Sequence, residues 1–225
     1  MTTTNQQPVF SEIAPTTQVA MLPYLPLWAA AQFASCDEAK GVINFIHIRI
    51  GEDGECAIEA TDGHRLLRHR FQLGDQCHVD TSMTGGQSLL IHPKDLRKFV
   101  RYGRFVSVSF DLRLEILGGK GEAMQPLVTL HNPHFFGVTH ASDSRHMEYP
   151  NIPQLIPESF SNAPGGSFAF NARYVKEWCS VVEKWTDNNV TRVECNAPTT
   201  PFIWSAKDSE NGELEYLLMP VQVRN

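Results

Sequence analysis

No stretch of the 225-residue sequence approaches the ~18 consecutive apolar residues that span a bilayer. Residues 1–8 are polar and lack a basic stretch ahead of an apolar one, so they do not read as a signal peptide and the chain is expected in the cytoplasm. Cysteines are few and scattered: Cys36, Cys56, Cys77, Cys179 and Cys195 form no CxxC, which argues against a disulfide framework and a structural zinc site and points to reduced, mostly buried thiols. A glycine-rich phosphate loop is missing, because Gly118-Gly119-Lys120-Gly121 reads as a hairpin turn. No Ser or Cys sits in a recognisable nucleophile elbow, so Asp62 and His64 have no partner for acid–base catalysis. Net positive charge is lacking too. At a formal −6, any contact with nucleic acid must come from a local basic face. What remains is 42% hydrophobic and 20% charged, the composition of an ordinary globular chain with one large or two small domains.

The most informative feature is an internal repeat. Ser88-Leu89-Leu90-Ile91-His92-Pro93-Lys94 aligns with Ser167-Phe168-Ala169-Phe170-Asn171-Ala172-Arg173 at a constant offset of 79 positions. Both segments predict a short strand running into a helix, with His92 and Asn171 at the N-cap and Pro93 at the first helical position, where its missing N–H is harmless. Strands are predicted after the first helix at 106–110, 112–117 and 127–130, and after the second at 190–195, 202–206 and 215–221. A looser copy opens the chain: strand 19–22, helix 25–35, a hairpin of 42–50 and 55–60 around Gly51-Glu52-Asp53-Gly54, and strand 66–73. Linkers fall at 74–87 and 156–166, and residues 1–16 read as a flexible tail. The layout is α+β, three βαβββ units.

On that layout sit four segments that resemble the bacterial sliding clamp, the beta subunit of the replicative DNA polymerase III. Ala60-Thr61-Asp62-Gly63-His64-Arg65-Leu66 resembles the ATDGHRL signature of the clamp's middle domain, and Tyr149-Pro150-Asn151-Ile152-Pro153-Gln154-Leu155-Ile156-Pro157 the segment that closes it. Phe170-Asn171-Ala172-Arg173-Tyr174-Val175 is similar to the start of the second half of the last domain, and Tyr216-Leu217-Leu218-Met219-Pro220-Val221-Gln222-Val223 to the C-terminal strand, with Gln222 where the family has Arg. The resemblance implies a DNA-clamp fold with a complete clamp domain over 17–157 and a half domain over 158–225. The family's first domain has no counterpart here, so about one and a half of its three domains are expected.

In that family partner proteins insert a short apolar and aromatic peptide between the middle and last domains. Carried over, the peptide-binding pocket is expected to comprise Ile43, Thr61, Gly63, His64, Arg65, Leu66, Pro157, Pro201, Met219, Pro220 and Val221. Two prolines and a methionine suit a preformed apolar wall, Gly63 close backbone approach, and His64 and Arg65 donors at the rim. Taken alone, the same residues read as a turn and an edge strand. For DNA, Lys94, Arg97, Lys98 and Arg101 stand at i, i+3, i+4 and i+7 on one helix face, and Arg173 and Lys176 repeat the theme more weakly. An isolated charge stripe of this kind reads equally as a solvated face.

The resemblance therefore implies a processivity factor of DNA replication or repair, not an enzyme and without cofactor. It binds DNA through the backbone, takes DNA polymerase or other clamp-binding-motif proteins as partners, is served by a clamp loader, and encircles DNA as a homo-oligomer. The alternative is a non-encircling decoy that competes for the same peptides. A metal hydrolase built on His131, His134, His140, Asp143 and His146 is the contrasting class, but Asn132-Pro133-His134 breaks the helix that would put His131 and His134 on one face. An unsupported half domain would also leave Tyr174, Val175, Trp178 and Val182 wet, so self-association through residues 167–223 is expected.

Overall fold

The computed structural model describes residues 16–51, 54–72, 87–94, 96, 109–117, 125–132, 135–143, 148–156, 168–196, 200–209 and 212–221. Strand β1 (Thr16–Pro23) runs into helix α1 (Tyr24–Phe33), followed by a 3-10 helix (Glu38–Asn44) and strands β2 (Ile46–Ile50), β3 (Glu55–Thr61) and β4 (Arg65–Gln72). Strand β5 (Gln87–Ile91) leads into helical residues Pro93, Lys94 and Leu96, and strands β6 (Ser109–Leu117), β7 (Gln125–Asn132) and β8 (Phe135–Asp143) follow. After the single turn α2 (Ile152–Leu155) come helix α3 (Ala172–Trp185) and strands β9 (Arg192–Glu194), β10 (Phe202–Asp208) and β11 (Gly212–Leu218). The strands join in one antiparallel sheet ordered β1-β6-β7-β8-β5-β2-β3-β4-β11-β10-β9.

Both expected N-caps are formed. The Asn171 side chain accepts from Arg173 N at 3.0 Å, and His92 Nδ1 accepts from Lys94 N at 3.1 Å. Helix α3 buries Trp178, Val181, Val182 and Trp185, the i, i+3, i+4, i+7 stripe of an amphipathic helix. Helix α1 buries Ala29, Ala30 and Ala31, small residues that let it lie close on β3 and β4.

One core runs through the helix side of the sheet from α1 to α3. Tyr216 of β11 stacks on Trp178 at 5.0 Å and meets Phe33 of α1 edge-on at 5.1 Å. Period-two alternation sends Leu67, Tyr216 and Leu218 to that face, and Leu66, Ile203 and Leu217 to the other, where they pack with Ile152, Tyr149 and Ile156.

Several expectations are corrected. Residues 42–44 belong to the 3-10 helix and not to a strand, since Asp37 caps that helix through Ala39 N and Gly41 takes a φ of 61°. Segments 112–117 and 109–110 form a single strand, and β8 is a further strand the sequence reading omitted. Residues 168–170 join no ladder among the described residues, and β9 is shorter than 190–195. Trp178 and Val182 are buried, and Tyr174 and Val175 half-buried, because the α3 face packs onto the first repeat. Cys36 and Cys179 are exposed, while Cys56 and Cys195 are buried. Residues 1–15 of the expected tail, Cys77, His134 and His146 lie outside the described residues.

Candidate functional site

The β3–β4 turn is built by its own side chains. Thr61 Oγ1 donates to Arg65 O at 2.6 Å and accepts from Gly63 N at 3.1 Å, while Asp62 Oδ1 accepts from His64 N at 2.9 Å and Arg65 N at 3.1 Å. Gly63 sits at φ 89°, a left-handed conformation that side chains rarely adopt, and a Cβ there would lie 3.7 Å from Ile43. Lys40 Nζ caps the turn by donating to Asp62 O at 2.8 Å.

Arg65 does not supply donors at a rim. It is 6% exposed, and its Nε donates to Asp62 Oδ2 at 3.0 Å while Nη1 reaches Glu177 on α3. Its guanidinium lies 4.7 Å from the Phe33 ring centroid and 4.5 Å from that of Tyr174. Burial alone would lower its pKa, but the hydrogen bond to Glu177 and the charges of Asp62 and Glu177 more than offset this and hold it raised. Burial likewise pushes the Glu177 carboxyl up, but hydrogen bonds from Arg173 and Arg65 win and hold it below its ordinary value. Arg65 therefore fastens β4 to α3.

Pairing of β4 with β11 sets Leu66 opposite Leu217 and Arg65 opposite Leu218, which delivers the end of β11 to the turn. Met219 N then donates to His64 O at 3.5 Å, and Val221 N to Ala169 O at 2.8 Å. Thus held, Met219 and Val221 are 42% and 49% exposed, with Leu155 of α2 at 50%. The buried cluster of Leu66, Ile152, Ile203 and Leu217 lies on the sheet face away from α1 and α3. Of the other expected pocket residues, Gly63 and His64 are exposed, Ile43, Pro201 and Pro220 half-buried, and Thr61 buried; Pro157 lies outside the described residues. Leu155, in the proline-rich segment, was not among the expected pocket residues. Nothing local in sequence marks Glu177 as the partner of Arg65.

On the helix side of the turn a cleft of about 1120 Å³ opens between α1 and α3, lined by Trp28, Lys40, His64, Tyr174, Lys176 and Glu177 among others. Its charges are mixed. Arg173 is exposed but tied to Glu177 at 2.9 Å, and Lys176 and Lys94 are exposed. Arg97, Lys98 and Arg101 lie outside the described residues.

A Ser–His–Glu chain also exists: His47 Nε2 lies 2.6 Å from Ser88 Oγ, and Nδ1 lies 2.9 Å from Glu59 Oε2. All three residues are interior to paired strands, and the Tyr149 ring stacks on His47 at 4.6 Å. The chain braces β2, β3 and β5.

The antiparallel sheet, helices α1 and α3 packed on one face of it and the β4–β11 junction together form the fold of bacterial sliding clamps. Among solved structures, the beta subunit from DNA polymerase of Streptococcus pyogenes matches with a TM-score of 0.66 and 16% identity, over 98% of this chain and 68% of that one. The DNA polymerase III beta subunit from Thermotoga maritima matches at 0.61 and 15%, over 96% and 69%. A sliding clamp from Bartonella birtlesii, solved bound to griselimycin, matches at 0.64 and 15%, over 92% and 66%. This chain thus spans about two-thirds of the length of those proteins. Neither a protein-family model nor a curated protein matches the sequence. No helix among the described residues is long and apolar enough to cross a membrane.

Proposed function

We propose that this chain is a non-enzymatic, sliding-clamp-like factor of DNA replication or repair that takes short apolar and aromatic peptides of polymerase-type partners. The observation that carries the reading is the exposed pair Met219 and Val221, held beside the Gly63–His64 turn next to a buried apolar cluster. A solvent-facing methionine and valine fixed by backbone hydrogen bonds form a preorganised wall, so little ordering entropy opposes a peptide that covers them. DNA would lie on the helix-bearing side, meeting Lys94, Arg173 and Lys176 through phosphates alone, with Arg97, Lys98 and Arg101 added on the sequence expectation only. Placement of the two ligands on separate surfaces lets a polymerase and DNA be held at once. A clamp loader and a homo-oligomer belong to the same reading. Hydrogen exchange of the full chain with and without a clamp-binding-motif peptide tests it: slowed exchange confined to residues 63–66 and 217–221 supports the site, and unchanged exchange there rejects it.

A further inference from the structure

Two helix stripes face each other across the cleft between α1 and α3. Trp28 and Gln32 stand at i and i+4 on α1, and Lys176 and Ser180 at i and i+4 on α3, with Lys184 a further turn along. At about 1120 Å³ the space exceeds that of most small-ligand pockets, roughly 300–1,000 Å³. Its carboxylates are already engaged. Asp62 accepts from Arg65, Glu177 from Arg65 and Arg173, and Asp37 caps the 3-10 helix. Lys40 donates to a carbonyl, that of Asp62, and among the described residues no carboxylate pairs with Lys40, Lys176 or Lys184. The cleft therefore carries uncompensated positive charge in a chain whose formal net charge is −6. A second feature is the Trp28 ring. It is half-buried against the core and carries the exposed Lys184 Nζ at 4.0 Å from its centroid. An electron-rich ring face presented to an exposed lysine is one on which a planar base can stack.

We propose that this cleft is a nucleotide site, in which a planar base stacks on Trp28 in place of the Lys184 ammonium and the phosphate is met by Lys176 and the displaced Lys184. The exchange favours the base, because a cation–π contact at an exposed site is weak and stacking removes two ring faces from water. The lysine is not lost by it, since Lys184 lies on the same side of α3 as Lys176. Gln32 adds an amide for the base edge; its Nε2 makes a long 3.4 Å bond to Trp28 O that a better partner can replace. Both walls are helices whose backbone groups are bonded within the helix, so the cleft offers no strand edge to a peptide. Ring and charge together select a nucleotide. The same chemistry belongs to a free nucleotide and to an unpaired nucleotide of a single strand. It is separate from the phosphate-only duplex contact proposed above, because bases inside a duplex are already stacked on one another.

Titration of the full chain with dAMP, with single-stranded oligo(dA) and with 2-deoxyribose 5-phosphate, followed by tryptophan fluorescence, provides the test. The expected result is saturable quenching by a base-bearing ligand. The base-free phosphate should bind about 5- to 150-fold more weakly, the share that stacking supplies. Saturation by dAMP as readily as by the strand identifies a free nucleotide as the ligand, and saturation by the strand alone identifies an unpaired strand. Trp28→Ala would also open the core that the ring packs against, so the site is probed with Gln32→Glu and Ser180→Glu, both at exposed positions. Together they set two negative charges against the phosphate and should weaken binding at least about tenfold while the unfolding transition stays in place. No quenching by dAMP or the strand would overturn the proposal. So would equal affinity for the base-free phosphate, or an affinity unchanged in the double variant.

Discussion

Arg65 at the start of β4 hydrogen-bonds Glu177 on α3 across 112 positions of sequence, and the rings of Phe33 and Tyr174 close over its guanidinium. The contact joins the opening repeat to the closing one through a buried charge. Burying a guanidinium is costly unless every donor is answered, so loss of one partner is felt strongly.

Glu177→Gln keeps the shape of that contact but removes its charge. A charge-assisted hydrogen bond to a buried group contributes about 1.5–3 kcal/mol, and the variant should lose roughly that amount in urea unfolding. Arg173→Gln, at a side chain that is itself 79% exposed, should change stability by well under about 1 kcal/mol.

Acid should weaken the fold through His69. Its ring is buried beside Trp185 and Phe71, with Nδ1 3.1 Å from Glu213 O, and burial lowers its pKa from 6.5 to about 4. Above pH 6.5 the imidazole is neutral folded and unfolded, and contributes no pH dependence. Between 6.5 and about 4 only the unfolded chain takes the proton, so stability falls with pH and levels off below about 4. The expected loss is on the order of 3 kcal/mol across that window, read as the difference between wild type and His69→Phe in unfolding at pH 7 and pH 4.5.

Gly63→Ala places a side chain at a φ of 89°, where an L-residue is strained. A loss of about 1–2 kcal/mol in stability is expected. Since His64 O accepts from Met219 N, the variant should also weaken peptide binding. Unaltered melting and unaltered affinity would mean that the turn relaxes freely.

Lys94→Glu combined with Lys176→Glu should reduce DNA retention. If both meet phosphate, the slope of log affinity against log salt should fall by about 2, while peptide affinity stays the same. An unchanged slope would identify these side chains as a solvated face only.

Much of the scaffold was legible because local signals were strong. The caps His92 and Asn171, the apolar Trp178 and Val182 of α3 and the Gly51–Gly54 turn each announce their element within a few residues. Strand β8 was missed because Asn132-Pro133-His134 reads as a breaker and Gly137 interrupts the alternation that follows. Segment 42–44 looks like strand by composition, but Asp37 and the left-handed Gly41 wind it into a 3-10 helix. At the site, the turn and the Met219-Pro220 pair were visible as motifs. The role of Arg65 was not, since its partners come from α1 and α3 and meet it only in the folded chain.

The peptide surface is tested most directly by fluorescence anisotropy with a labelled peptide carrying a clamp-binding motif. Met219 and Val221 are exposed, so Met219→Ala with Val221→Ala removes apolar contact without opening a cavity in the core. Wild type is expected to bind, and the double variant to bind about 1–3 kcal/mol more weakly, roughly 5- to 150-fold in Kd. No binding by wild type, or equal affinity for the two proteins, would contradict the account.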